Sequence, residues 1–167
     1  GSNGFVGRNL KEYFAKNENY KVFAPTEHDL NLINSDEVKF FFINNSINCI
    51  VHSATVLQIN KKYVSDVSEQ NLKMFFNLCK YKPKDTKLLN LGSGSEYSRE
   101  HWVSNMSESY FDTHIPQDSH SFSKYIMAKY IESSSDNNLL HLRIFGVFGK
   151  YEDYRNKFIS NCIAKNL

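Results

Sequence analysis

The sequence has 167 residues, 41% of them apolar and 14% aromatic, enough for one globular domain with a proper core, and no apolar run approaches the length of a membrane span. A formal charge of +2, with lysines spread along the chain rather than blocked together, argues against nucleic acid as a partner. Cys49, Cys79 and Cys162 are odd in number and far apart, so neither a zinc set nor a disulfide framework is expected and the cytoplasm is the expected compartment.

The first stretch, Gly1-Ser2-Asn3-Gly4-Phe5-Val6-Gly7, places three glycines at intervals of three before Leu10, Tyr13 and Phe14, an apolar helical stripe. Glycine permits a tight turn and close approach of a ligand, and the first N–H groups of a helix attract an anion. The pattern reads as a phosphate cradle, and the strand that ordinarily carries such a turn is expected upstream of Gly1. Tyr20–Ala24 reads as a strand stopped by Pro25. A helix follows with Ser35 as its N-cap and Val38, Phe41 and Phe42 as its apolar face. Cys49-Ile50-Val51 is a short buried strand ending in His52-Ser53-Ala54. Val67–Lys80 reads as a helix, Lys87–Leu91 as a strand ending at Gly92-Ser93-Gly94-Ser95, Asp118–Ser133 as a helix, Leu139–Ile144 as a strand and Phe158–Leu167 as a last helix. The segment from Glu96 to Gln117 has no clear period, and a loop of that length is usually functional.

Strand and helix alternate at spacings that admit one crossover helix each. The expected fold is therefore α/β, a doubly wound parallel sheet of the Rossmann type with helices on both faces. Ligands of such sheets bind beyond the carboxyl ends of the strands, which points to Ala24-Pro25-Thr26, His52-Ser53-Ala54, Gly92–Ser95 and Phe145-Gly146-Val147.

Taken in order, the glycine turn, Asp29-Leu30, Ile50-Val51-His52-Ser53-Ala54, Asn71, Leu91-Gly92-Ser93-Gly94-Ser95-Glu96-Tyr97, Ser123-Lys124-Tyr125 and Leu142–Gly149 resemble the NAD-dependent epimerase/dehydratase family, the extended branch of the short-chain dehydrogenases/reductases. The resemblance covers essentially the whole chain. It implies a bound NAD or NADP, a nucleotide-sugar substrate and a homodimer. It also implies a longer subunit, of which this is a partial Rossmann domain lacking its first strand and most of the substrate domain, with the sugar-nucleotide part starting at about 150. By position, Gly1, Ser2, Asn3, Gly4, Phe5, Val6 and Gly7 would lie at the cofactor pyrophosphate. Asp29 and Leu30 would flank the adenine, with a loop carboxylate as the rival reading of Asp29. His52, Ser53 and Ala54 would pass beneath the cofactor. Asn71 is expected to fix helix packing.

The family's chemistry uses a serine or threonine and a Tyr-x-x-x-Lys. A phenol of pKa near ~10 must lose its proton easily to act as a base near neutrality, and a lysine one turn on supplies the charge that lowers it. Ser93 matches the serine, with Ser95 as second choice, and Lys124 matches the lysine. The tyrosine position holds His120. Imidazole, with an unperturbed pKa near ~6.5, is a competent base but has shorter reach. Two outcomes stay open: a working His120, or a dinucleotide-binding protein of the same fold that no longer moves the proton. A second pair, Tyr125 and Lys129, lies five residues on, about 140° around the helix, and reads as an aromatic packing position and a solvated lysine. The ribose-facing strand end Ala24-Pro25-Thr26 leaves NAD and NADP undivided.

Overall fold

The computed structural model describes residues 1–57, 66–155 and 157–167. In chain order the elements are α1 (Phe5–Phe14), α2 (Ser35–Asn44), β1 (Cys49–His52), α3 (Val67–Tyr81), β2 (Lys87–Leu91), three single 3₁₀ turns (Gly94–Tyr97, Arg99–His101, Glu108–Tyr110), α4 (Ser119–Ser133), β3 (Leu139–Leu142) and α5 (Phe158–Lys165). The three strands form one parallel sheet in the order β1-β2-β3. Both crossovers run in the same direction along the sheet, and right-handed connections then place α3 and α4 side by side on one face. The two helices do pack against each other there.

The register shows what that face is for. Ile50, Leu88 and Leu139 are ladder neighbours, and so are His52, Asn90 and His141, two residues further on. Side chains two apart in a strand share a face, so an apolar rung is followed by a polar one. The apolar rung joins Leu30, Val38, Phe75, Leu78 and Met127 in the core. The polar rung lies at the carboxyl ends of the strands, where the sequence locates ligand binding. His52 and Asn90 are buried there, and His52 Nε2 and Asn90 Oδ1 have no hydrogen-bond partner among the described residues. Such groups are costly in an apolar core and mark a region built for something besides packing.

Three expectations need correction. Tyr20–Ala24 joins no ladder among the described residues, because a strand exists only through a hydrogen-bonded neighbour and β1 is paired on one side alone, to β2. The N-cap of α2 is Asn34, not Ser35. The Asn34 side-chain oxygen accepts from the N–H groups of Asp36 at 3.0 Å and Glu37 at 3.3 Å, the reach of a cap to N2 and N3. The β3 ladder stops at Leu142, although Gly94 N–H still donates to Ile144 O at 3.2 Å. Asp118 caps α4 by accepting from Ser121 N–H at 2.9 Å.

Candidate active site

The glycine turn folds onto the end of β1. A Cβ on Gly1 would lie 2.4 Å from Ala54 N and 2.5 Å from Ser53 Oγ, and one on Gly7 would lie 2.0 Å from Gly1 O. Neither position accepts a side chain without backbone movement. Gly4 differs: its Cβ would meet only Gly1 O, at 3.4 Å. Gly4 is exposed and is the N-cap of α1, with no side chain capping the helix. Gly1 and Gly7 thus shape the turn, and Gly4 leaves its outer side open at a helix N-terminus, where N–H groups and the helix dipole favour an anion. Ser2 donates to Pro25 O at 2.7 Å, which ties the cradle to the segment after Tyr20–Ala24. Asn3 is exposed, Phe5 and Val6 are half-buried, and Ser53 and Ala54 form the wall against Gly1.

Asp29 is exposed, and one carboxylate oxygen accepts from Thr26 N–H at 2.9 Å and Thr26 Oγ at 2.7 Å. Those bonds, the hydroxyl first, hold its carboxyl below the usual range. The Leu30 side chain lies in the core. His52 is fully buried; desolvation, followed by the nearby Lys124 charge, pushes its pKa down to about 3, so the ring is neutral. Asn71 is a staple. Its Oδ1 accepts from Val56 N–H at 2.7 Å, and its Nδ2 donates to Val56 O at 3.1 Å and to Ser123 Oγ of α4 at 3.3 Å.

Beyond β2, Ser93 opens a 3₁₀ turn as a capping box: Ser93 N–H donates to Glu96 Oε1 at 2.7 Å, and Ser93 Oγ accepts from Ser95 N–H at 3.2 Å and from Ser95 Oγ at 3.0 Å. With two bonds accepted, the Ser93 hydroxyl keeps its own proton for an outside acceptor. Ser95 is buried with its hydroxyl committed to Ser93. Across from this turn, α4 presents His120 and Lys124 one turn apart on one face. Lys124 is only 5% exposed and donates to Leu91 O at 2.8 Å, two residues before Ser93. Burial lowers its pKa to about 8, against a smaller raising effect from Glu96. His120 is half-buried, and desolvation first, then Lys124, holds it below the ordinary imidazole value, with Asp118 opposing.

The structure therefore brings Ser93 and Lys124 to one strand end, with His120 on the same helix face as Lys124, and brings Gly1–Gly7 to the end of β1. The second Tyr-x-x-x-Lys is occupied otherwise. Tyr125 is buried and donates from its hydroxyl to Asp112, and Lys129 pairs with the same carboxylate at 2.6 Å. Burial and Asp112 push the Tyr125 phenol up to about 12, away from any use as a base. Arg143 is bonded within the chain. It bonds Glu96 at 3.2 Å and Glu132 at 2.5 Å, with its guanidinium 4.1 Å from the Phe111 ring centre. The sequence reading missed Glu96, His141 and Asn90 as a connected group, although the Ser-x-x-Glu spacing at 93–96 is a capping-box signature.

The sequence matches the NAD dependent epimerase/dehydratase family over residues 1–167. No curated relative matches it by sequence. Among solved structures, a GDP-D-glycero-L-gluco-heptose synthase of Campylobacter jejuni, crystallised in the presence of NADPH, superposes with a TM-score of 0.76 at 19% identity, covering 99% of this chain and 52% of that one. An ADP-L-glycero-D-manno-heptose-6-epimerase of Helicobacter pylori gives 0.74 at 21% identity, with 98% and 58% covered. A GDP-6-OMe-4-keto-L-xylo-heptose reductase of C. jejuni gives 0.73 at 20% identity, with 92% and 47% covered. At these identities the likeness shows a common Rossmann fold, and the chain spans about half the length of these structures.

Proposed function

This chain belongs to the NAD-dependent epimerase/dehydratase family, and from that premise we propose that it is the dinucleotide-binding part of an enzyme acting on a nucleotide-activated sugar, with Ser93, His120 and Lys124 as its reacting set. The observation that carries the reading is Lys124: a lysine buried at the carboxyl end of β2, one helical turn from His120 and bonded to the backbone two residues before Ser93. The residues present fit NAD or NADP. Gly4 leaves the outer side of the turn open at the α1 N-terminus, and Gly1 and Gly7 hold the shape that makes it so. Ser2, Asn3, Phe5 and Val6 complete the pyrophosphate turn, Asp29 and Leu30 border the adenine, and His52, Ser53 and Ala54 form the floor. Bound there, NAD or NADP would supply hydride-transfer chemistry at a sugar carbon. A heptose-type sugar is one analogy, from enzymes solved with this fold.

The chain's own residues handle the proton. Ser93 donates its free hydroxyl hydrogen to the sugar oxygen. His120, neutral near pH 7, accepts the proton from the sugar hydroxyl as that carbon is oxidised. Burial, and after it the charge of Lys124, keeps His120 neutral, and Lys124 would bond the nicotinamide ribose. A neutral imidazole accepts protons better than it gives them, so the oxidising direction is favoured at neutral pH. The segment from about 150 begins the sugar-nucleotide region and is moored to the cradle helix: Lys150 pairs with Glu12 at 2.7 Å, and Asn9 donates to Lys150 O at 2.7 Å. The half-exposed Phe76 and Tyr130 rings, 5.1 Å apart on α3 and α4, are the face through which we expect two copies to pair.

The test is calorimetry with NAD(H) and NADP(H), followed by turnover on a panel of nucleotide sugars, for the intact protein and its His120→Ala and His120→Tyr variants. Cofactor binding with turnover that His120→Ala abolishes supports the reading. Binding without turnover in the parent, recovered by His120→Tyr, replaces it with a dinucleotide-binding protein whose proton-transfer position has been lost.

A further inference from the structure

Behind the strand ends lies a polar group that the reaction scheme does not use. Glu96 is 0% exposed. One of its oxygens accepts from Ser93 N–H at 2.7 Å, and the other is held by His141 Nε2 at 2.9 Å and Arg143 Nε at 3.2 Å. Asn90 donates to His141 Nδ1 at 3.0 Å, which leaves the ring's own N–H at Nε2, aimed at Glu96. Arg143 is held on its far side by Glu132 and lies over the Phe111 and Tyr97 rings. The group is packed tightly against the strand end: a Cβ on Gly92 would come within 2.3 Å of His141 Nε2 and 2.4 Å of Glu96 Oε1.

A buried carboxylate is tolerated only with its lone pairs satisfied and opposite charge beside it. A side chain whose sole task was to close a 3₁₀ turn would not need to be buried with an arginine and a histidine. Resting on the reading of Ser93 and Lys124 given above, we propose that Glu96 is a positioning residue: it fixes the Ser93 backbone through one oxygen, and its charge acts on Lys124 across the same strand end. Arg143 and His141 hold the carboxylate so that it cannot turn, and the direction of the Ser93 hydroxyl is set from the far side of the sheet end. His52 on β1 and His120 on α4, both near Lys124, are neutral, and against the burial that lowers the Lys124 pKa the raising charge is that of Glu96.

Glu96→Gln keeps the shape and removes the charge. On this chain, NMR is expected to show Lys124 titrating lower than in the parent and the Ser93 amide losing its carboxylate-bonded downfield shift and its exchange protection. In the intact enzyme kcat is expected to fall by about tenfold to a hundredfold, the cost of a slightly misplaced group, with the Kd for the dinucleotide unchanged. In a Ser93→Ala background the same substitution should cost much less, since what it positions is gone. Unchanged Lys124 titration and Ser93 amide in folded Glu96→Gln, or an equal loss of kcat with and without Ser93, overturns the proposal. Should Glu96→Gln not fold, His141→Gln is read in the same cycle: a loss that shrinks when Ser93 is absent supports positioning, and an additive loss contradicts it. A Ser93→Ala enzyme as fast as the parent would sink the reading of the site itself, independently of Glu96.

Discussion

Helix α4 carries two pairs with the same spacing and the same second residue, His120–Lys124 and Tyr125–Lys129, and the structure treats them oppositely. Tyr125 and Lys129 converge on Asp112, and each polar head is satisfied by that carboxylate. Lys129 is 42% exposed along its side chain, and its pKa is raised, first by the bond to Asp112. Lys124 lies inside, with no carboxylate bonded to it among the described residues, and its pKa is pushed down by burial to about 8. A Tyr-x-x-x-Lys spacing only says that two side chains share a helix face. Reactivity comes from what surrounds them, and it is the buried pair lacking a tyrosine that the proposed function uses.

The largest effect that would break this comparison is on turnover. We expect His120→Ala or Lys124→Met to lower kcat of the intact enzyme by about a hundredfold or more, the usual worth of a positioned acid–base group, while Tyr125→Phe leaves it within about twofold. Equal losses at both pairs, in steady-state kinetics, would show that α4 has one extended site rather than a working pair and a structural one.

The cradle gives the next effect. Gly7→Ala forces a methyl to within 2.0 Å of Gly1 O, and thermal unfolding should show a loss of about 1–3 kcal/mol, the range for overpacking, together with weaker dinucleotide binding by calorimetry. Gly4→Ala, whose Cβ would meet Gly1 O at an ordinary contact distance of 3.4 Å, should keep the stability and lose the binding. If both variants lose stability alike, the division between a shape-keeping and a ligand-facing glycine is wrong.

The two lysines should also differ in sign. Lys124 has a folded pKa below its unfolded value of about 10.4, so the unfolded chain binds more protons between about pH 8 and 10.4, and stability rises with pH across that window. Below it the buried charge is a standing cost, and Lys124→Met should stabilise the fold at pH 7 by about 1–2 kcal/mol after the lost bond to Leu91 O is counted. Lys129, raised by Asp112, runs the other way: Lys129→Met should cost a little stability, as loss of an exposed pair does. Denaturant titrations of the two variants at pH 7 and pH 9.5 check the signs.

A smaller effect concerns pH and rate. His120 must be neutral to accept a proton, and in the reading above it is a protonated Lys124 that holds the ribose. The oxidising rate should therefore rise through a value below about 6.5 and fall again near 8, the value to which burial brings Lys124. The His120→Tyr enzyme should lose the acid limb of that profile, and a profile the same in both enzymes would take His120 out of the proton path.

Much of this was legible in the sequence because it depends on short-range order. Val38, Phe41 and Phe42 lie at helical spacings, Ile50 and Leu88 in β-branched or leucine-rich runs, and the glycine turn names its own geometry. What stayed hidden depends on chain segments meeting. Tyr20–Ala24 has strand composition but no ladder partner among the described residues. Ser35 and Asn34 are equally good caps on paper, and only backbone geometry chooses Asn34. Glu96 and His141 are 45 residues apart, and nothing in either neighbourhood announces that a buried carboxylate will sit between a histidine, an arginine and the Ser93 amide. Lys129 was legible as a surface lysine, but Asp112, its partner across seventeen residues, was not.

The most direct test needs only this chain. Lysine side chains labelled with ¹³C at Cε, assigned by Lys124→Met and Lys129→Met, can be titrated by NMR from pH 6 to 12. The account predicts that Lys124 titrates near 8 and Lys129 above the ordinary 10.5, the two separated by more than two pH units. Two coincident titrations near 10.5, or a lower value for Lys129, would contradict it.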